Sequence, residues 1–283
     1  MGPIAGVTRA PDPVPRGVAV LDGRAAGPPS RERHWARVGL GAASVLAGLF
    51  LWEAIGTLGL INRIVLSPPR DVAAAAVQLV RSGELAMHVG VSLHELVVGL
   101  TLAVAVGLPM GVLAGWFRRV AWVLRPLTGA FYATPIIVFA PLMVAWLGIG
   151  FWDKAILVFL EGFFQVFVTV SAGVRALDDA WLRVASAFAA RPAFTFRTVV
   201  LPGAVPYILV GVRLATGRGL VTVVVAELLA STAGLGWMVA YYGQTFKIAN
   251  VFVVLLVTAG LGVLADAGIR RLEGHVEQWR ATV

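Results

Sequence analysis

Residues 207–230 read YILVGVRLATGRGLVTVVVAELLA, and the reading of this stretch decides the fold. A helix of about 20 residues crosses the ~30 Å hydrocarbon core of a bilayer. This run is long and apolar enough to do so, yet it carries Arg213, Arg218 and Glu227. The rest of the chain decides between a buried helix of a large soluble core and a membrane span. Of 283 residues, 59% are hydrophobic and 13% charged, with a mean hydropathy of +0.86. That balance excludes an ordinary soluble domain.

Working outward, six stretches have the length and composition of spans: 38–61, 93–116, 127–151, 155–174, 204–230 and 248–269. Lipid offers no partners to backbone polar groups, so each is expected to be helical, giving an all-α integral membrane protein. Prolines at 109, 126, 135 and 141 are expected to kink or start helices in the second and third spans.

Charge placement orients the array. Arg31, Arg33 and Arg37 precede the first span, Arg118, Arg119 and Arg125 follow the second, and Arg175, Arg183, Arg191 and Arg197 follow the fourth. Arg270, Arg271 and Arg280 follow the sixth, and Arg9, Arg16 and Arg24 lie further ahead of the first. One side thus holds sixteen of the 23 basic residues and the other side five, Arg63, Arg70, Arg81, Lys154 and Lys247. The positive-inside rule then sets both termini in the cytoplasm. A net charge of +8 spread in this way does not suit nucleic acid, which wants its basic residues on one soluble face.

Residues 1–36, with PDPVP and GPPS, carry no apolar period and are expected to form a disordered cytoplasmic tail. A permease domain is expected over 37–272 and a second short tail over 273–283. Between the first two spans, LSPPRDV opens a moderately apolar segment suited to a short helix at the outer surface, with Ser67 as its cap and Pro68 in its first turn.

One connection is long: RALDDAWLRVASAFAARPAFTFRTVVLPG, residues 175–203. Asp178 or Asp179 can start a helix on which Trp181, Val184, Ala185 and Phe188 share a side, and Arg191–Pro192 ends it. A second short segment runs from Pro192 to Leu201–Pro202. Two readings of this pair stand: a docking element for a partner, or a surface helix packed on its own bundle.

Here the chain resembles the inner-membrane permeases of ABC importers, in the nitrate/sulfonate/taurine group. That family carries a cytoplasmic loop with a Glu-Ala-Ala helix, then a glycine four residues after the last alanine, then Leu-Pro. RVASAFA takes the first place here and VVLPGAVPYILVGVRLA follows. The likeness continues through VVVAELLASTAGLG, WLGIG, SAGVRALD, LWEAIGTLGLI and LSPPRDV, covering about 37–270. It implies the type I importer permease fold, six transmembrane helices and a coupling helix within 175–203. It also implies a second permease copy, two cytoplasmic ATPases using ATP and Mg, an external solute-binding protein, and the bacterial inner membrane as location. Trp181, Arg183, Val184, Ala185, Phe188, Ala189, Leu201 and Pro202 fall on the coupling positions. Arg183 and Val184 replace the family's glutamate and first alanine, and Ala189 stands where it has glycine. Because alanine favours continuing a helix, the bend is expected later, at Arg191–Pro192.

The chain has no G-x-x-x-x-G-K-[ST] loop, so a partner must hydrolyse the ATP. With no cysteine, no catalytic serine pattern and no companions for His88, His94 or His275 at ligand spacing, neither enzyme chemistry nor a metal site is expected. An ATPase-independent channel or secondary transporter is the alternative, and an interaction-only membrane scaffold is the third reading.

The charges in the spans remain. Ionisable groups at membrane depth cost at least about 2.5–3.5 kcal/mol each, so they face protein or water and have partners. In the fourth span Glu161, Gln165 and Thr169 recur every four residues as a polar stripe. Glu161 lies about 20 Å and Arg218 about 21 Å from the inside ends of their helices, so a pair between spans four and five is expected. Arg213 has two readings, a positive group facing the pathway or a scaffold arginine snorkelling toward the cytoplasm or binding helix-end carbonyls. Glu227 has two as well: an outer gate, or support for the glycine turn STAGLG. Glu53, Glu95 and Asp266 lie near span ends, within reach of water or headgroups.

Overall fold

The computed structural model describes residues 31–59, 61–62, 65–177 and 179–281. Most of the expected N-terminal tail, and Asp178 as a cap, lie outside them. Every regular element among the described residues is helical. In chain order these are α1 (Arg31–Thr57), α2 (Pro69–Arg81), α3 (Glu84–Trp116), α4 (Arg118–Ala133) and α5 (Ala140–Leu147). Then come α6 (Phe151–Arg175), α7 (Asp179–Ala187), α8 (Pro192–Thr195), α9 (Leu201–Leu229), α10 (Leu235–Gln244) and α11 (Ile248–Ala281). Helix α1 begins ahead of the boundary expected at 37, and α11 continues through the stretch expected as a C-terminal tail.

Five helical runs are long and apolar enough to cross a membrane: Gly39–Thr57, α3, α6, Pro192–Leu229 and Ile248–Gly274. The third expected span, 127–151, is not one helix. Helix α4 stops at Ala133, Thr134 is extended, a 3₁₀ turn covers Ile136–Phe139, and α5 follows. Pro135 is the cause, since its ring disfavours helical geometry at the residue before it. Pro141 sits in the first turn of α5, where its missing N–H is no loss. Pro109 and Pro126 lie inside α3 and α4 without ending them.

The stretch Met1–Leu51 forms a unit of its own, and in its described part Leu40, Leu46 and Phe50 are exposed, as suits a lipid-facing span. In the larger unit, Trp52–Val283, α3, α6 and α9 make the centre. Small residues let α3 and α6 approach closely. A Cβ at Gly99 would fall 2.6 Å from Val158 Cβ, and one at Gly111 would fall 3.0 Å from Val170 Cβ. Val166, Val170, Val200, Ala204 and Ala215 are fully buried around this crossing.

A second core joins α2, α10 and α11 through Val72, Leu79, Leu235, Met238, Val253 and Val254. Helix α2 is the expected short helix, with Val72, Ala75 and Leu79 buried along one face. Its start differs from expectation by one residue: Pro68 is the capping residue and Pro69 the first helical one. Glu53 of α1 reaches this end of the helix, accepting from the Arg70 backbone N–H at 3.2 Å and lying 3.6 Å from its Nε. A carboxylate at a helix N-terminus is favoured by the helix dipole. Tyr242 ties α10 to α3 by donating to Glu84 Oε1, and burial pushes its hydroxyl up to about 12.

Candidate functional site

The long connection leaves the end of α6 and protrudes. Trp181 is 64% exposed and Phe188 83%, with Val184 between them also exposed. Ala185 is half-buried, and Arg183 is exposed. A single face of a short helix thus presents two aromatics and a valine without cover from this chain.

The turn after α7 corrects the expected bend. Ala189 itself adopts φ +48, the left-handed conformation that glycine takes without strain. Its N–H donates to Ser186 O at 2.9 Å and that of Ala190 to Ala185 O at 3.0 Å, the paired closure of a Schellman turn. The backbone therefore turns at 189 although the residue there is alanine. Arg191 is extended and Pro192 opens α8.

The second segment is not a separate helix. Helix α8, a π turn over Phe196–Val200, and α9 form one run, Pro192–Leu229. The wider turn lies just ahead of Pro202, whose ring would otherwise press on the carbonyl four residues back. Pro202 and Leu201 are exposed in the first turn of α9, while Val200 and Ala204 are buried beside Val174. Leu177 packs over Gly203, where a Cβ would fall 2.6 Å from Leu177 Cδ2. The base of the loop is anchored and its tip is not.

Along the same run, Arg218 meets Glu161 as expected, with Nη1 3.3 Å from Oε1. With its amide oxygen turned toward the guanidinium, Gln165 accepts from Arg218 Nη1 at 3.0 Å and Nε at 3.3 Å. The three line a cavity of about 520 Å³, together with Thr222, Phe131 and Phe164. The Glu161 side chain is 13% exposed and that of Arg218 53%. Thr169, the third residue of the polar stripe, is absent from this lining and packs against the α9 backbone at Gly211.

Arg213 is a scaffold arginine, held by carboxylates rather than by helix-end carbonyls. Its Nε lies 2.9 Å from Asp266 Oδ1 and its Nη1 3.2 Å from Glu273 Oε2, clamping α9 to α11. Asp266 in turn accepts from Arg270 Nε at 2.7 Å while its side chain stays 38% exposed.

At the far end of α9, Glu227 supports the glycine turn. It is 1% exposed, and accepts from Ser92 Oγ at 2.6 Å and from the Gly236 N–H at 2.7 Å. Ser92 Oγ also accepts from the Leu235 N–H, and His88 Nδ1 from the Gly234 N–H at 2.9 Å. A Cβ at Gly234 or Gly236 would run into Glu227. Glu95 is buried beside this knot rather than wet. Lys154, expected in an outer connection, is fully buried in α6, donating to Asp153 and to Gly150 O. No cluster of three or more possible metal ligands occurs among the described residues.

The amphipathic loop protrudes at the base of a continuous helix that leads to the cavity at Arg218. Residues 107–278 match the family described as binding-protein-dependent transport system inner membrane component. The chain belongs to that family.

This permease is 34% identical to the taurine transport system permease protein TauC of Escherichia coli K12, over 86% of this chain and 90% of that one. It is 32% identical to a Bacillus subtilis 168 chain described as the aliphatic sulfonates transport permease SsuC, over 89% and 91%. Its fold is similar to that of the MetNI methionine ABC transporter in an inward-facing crystal form, with a TM-score of 0.59 at 19% identity, covering 67% and 94%. The family and these relatives make it an ABC importer permease, and the structural likeness gives it the type I fold.

Sequence reasoning missed two parts of the permease. His88, Ser92 and Glu95 recur at four and three residues along α3, a polar face on an apolar helix that points to the buried knot. Asp266 and Glu273, seven residues apart on α11, likewise share a face, which could have named them as the partners of Arg213.

Proposed function

We propose that this permease works as one of two copies around a shared pathway and imports small organic solutes that carry a sulfonate-type anionic group, received from an external binding protein. The names of its relatives support the substrate class. The placing of both termini and of α7 on the cytoplasmic side rests on the arginine-rich connections. In this reading residues 37–272 form the permease domain, and 175–203 its coupling loop.

The observation that carries the mechanism is the unbroken run Pro192–Leu229, which joins the base of the exposed α7 loop to Arg218 at the cavity wall. Trp181, Ala185 and Phe188, with Val184 beside them, enter a groove of a cytoplasmic ATPase, with Arg183 meeting an acidic group at its rim. ATP and Mg bind that partner and none is held here. Closure of the two ATPases moves the loop, and the helix carries the displacement into the cavity. A rigid element with two stable positions converts nucleotide binding into a shift between inward-open and outward-open populations. Leu201 and Pro202, exposed where the loop joins the helix, flank the docking face.

Single cysteines at 181, 185 and 188, in the assembled complex with its ATPase, test the docking. The expected outcome is crosslinking of all three to the ATPase, with yields that change on adding ATP. Crosslinks only within the permease would show that the loop packs on its own bundle.

A further inference from the structure

Resting on the importer reading, we propose that the cavity beside Arg218 is a solute station for molecules that carry an anionic group and an ammonium together, and that Glu161 excludes simple anions from it. Three features of the cavity lead there. At about 520 Å³ it falls in the size range of small-molecule sites. Its guanidinium is half exposed to the cavity, so an entering sulfonate or carboxylate can reach it in the two-pronged geometry that arginine favours. The guanidinium is already neutralised by Glu161 at 3.3 Å, with Gln165 as a further acceptor.

The last feature sets the class of solute. An anion that takes Arg218 must displace Glu161, whose side chain is only 13% exposed. A carboxylate left unpaired in such a wall is strongly disfavoured, so a bare anion gains one ion pair by orphaning a charge. A solute with its own ammonium re-pairs Glu161 in the same event. One internal bridge is then exchanged for two bridges to the solute, and every charge keeps a partner. Phe131 and Phe164, with ring centroids 5.1 Å apart, supply an apolar flank for a short carbon stem and a surface that tolerates the ammonium. Discrimination comes from a group that penalises the wrong solute as much as from one that attracts the right one.

The test uses the permease–ATPase complex in nanodiscs, without the binding protein, and two radiolabelled probes of one size and one anion: 2-aminoethanesulfonate and ethanesulfonate. The wild-type complex should bind the amino compound at least tenfold more tightly. Glu161→Gln should bring the two within about twofold by improving ethanesulfonate and weakening the amino compound, and Arg218→Gln should lose both. Equal affinity of the wild type for the two probes, saturable binding of neither, or a preference that survives Glu161→Gln would overturn the proposal. If Glu161→Gln does not assemble, the wild-type comparison decides alone. ATP-driven uptake with the binding protein present judges the importer reading separately. Uptake that persists without saturable binding to the complex sinks only the cavity proposal, whereas absence of uptake sinks the reading beneath it.

Discussion

Helix α9 carries two charges that meet opposite fates. Glu227 is fully enclosed, its oxygens taken by a serine hydroxyl and a backbone N–H from the turn it holds. Arg218, more than two turns earlier on the same helix, is half exposed to a cavity and held by one carboxylate and one amide. Both stand in a run that composition alone would read as a plain span. The difference teaches how to sort intramembrane charges. A group wrapped by donors or acceptors from fixed backbone is scaffold, because nothing can displace its partners without unfolding the turn. A group paired through side chains, with open volume beside it, can exchange those partners.

Substitutions can break that comparison at either end. The largest effect is expected at the glycines of the turn, where a methyl would run into the Glu227 carboxyl at 234 and into the Val224 carbonyl and Glu227 Cβ at 236. Gly236→Ala should abolish monodisperse expression in detergent, while the same change at Gly217, with open space around it, should leave expression intact. Equal behaviour of the two would contradict the enclosed reading. Next comes Glu227→Gln, which turns one of two acceptor oxygens into a donor facing Ser92 or the Gly236 N–H. A loss of about 1–3 kcal/mol is expected, read as a lower thermal midpoint. An unchanged midpoint would move Glu227 out of the scaffold class.

At the exposed end the effects should be smaller. Glu161→Gln and Arg218→Gln, alone and combined, should show a coupling of about 1 kcal/mol or less, discounted because the arginine is half exposed. The double variant should be more stable than the sum of the single losses predicts. Strict additivity would mean that the pair seen at 3.3 Å contributes nothing.

The most local effect concerns the loop. Ala189 holds a left-handed conformation that costs a residue with a Cβ about 1–2 kcal/mol. Ala189→Gly should therefore slow hydrogen exchange at the Ala190 amide by about fivefold without changing assembly. Faster exchange would contradict the turn described for this position.

What the sequence made legible follows from which forces are local. Span positions and the all-helical class come from composition, because lipid leaves the backbone one way to satisfy itself. The Glu161–Arg218 pair was legible too, since helix rise converts residue counts into depth. The broken third span was not. Pro135 and Pro141 marked places where a helix could kink, but whether the backbone bends or ends depends on packing around Ile136 and Ala140, which are buried against α6. The bend at Ala189 was missed for the opposite reason. Alanine's local preference is to stay helical, yet here the Ala189 and Ala190 amides close the turn on Ser186 and Ala185. Arg213 went unpaired in the sequence because its partners lie on α11, more than fifty residues away, and only packing brings them together.

The central claim is that this permease moves solute when a partner ATPase turns over. Its most direct test is uptake of radiolabelled 2-aminoethanesulfonate into proteoliposomes holding the permease and its ATPase, with the binding protein supplied. Uptake should require ATP and fall to background when the ATPase loses its phosphate-loop lysine. Uptake that continues undiminished with that lysine replaced would contradict the account and return the chain to the class of channels and secondary transporters.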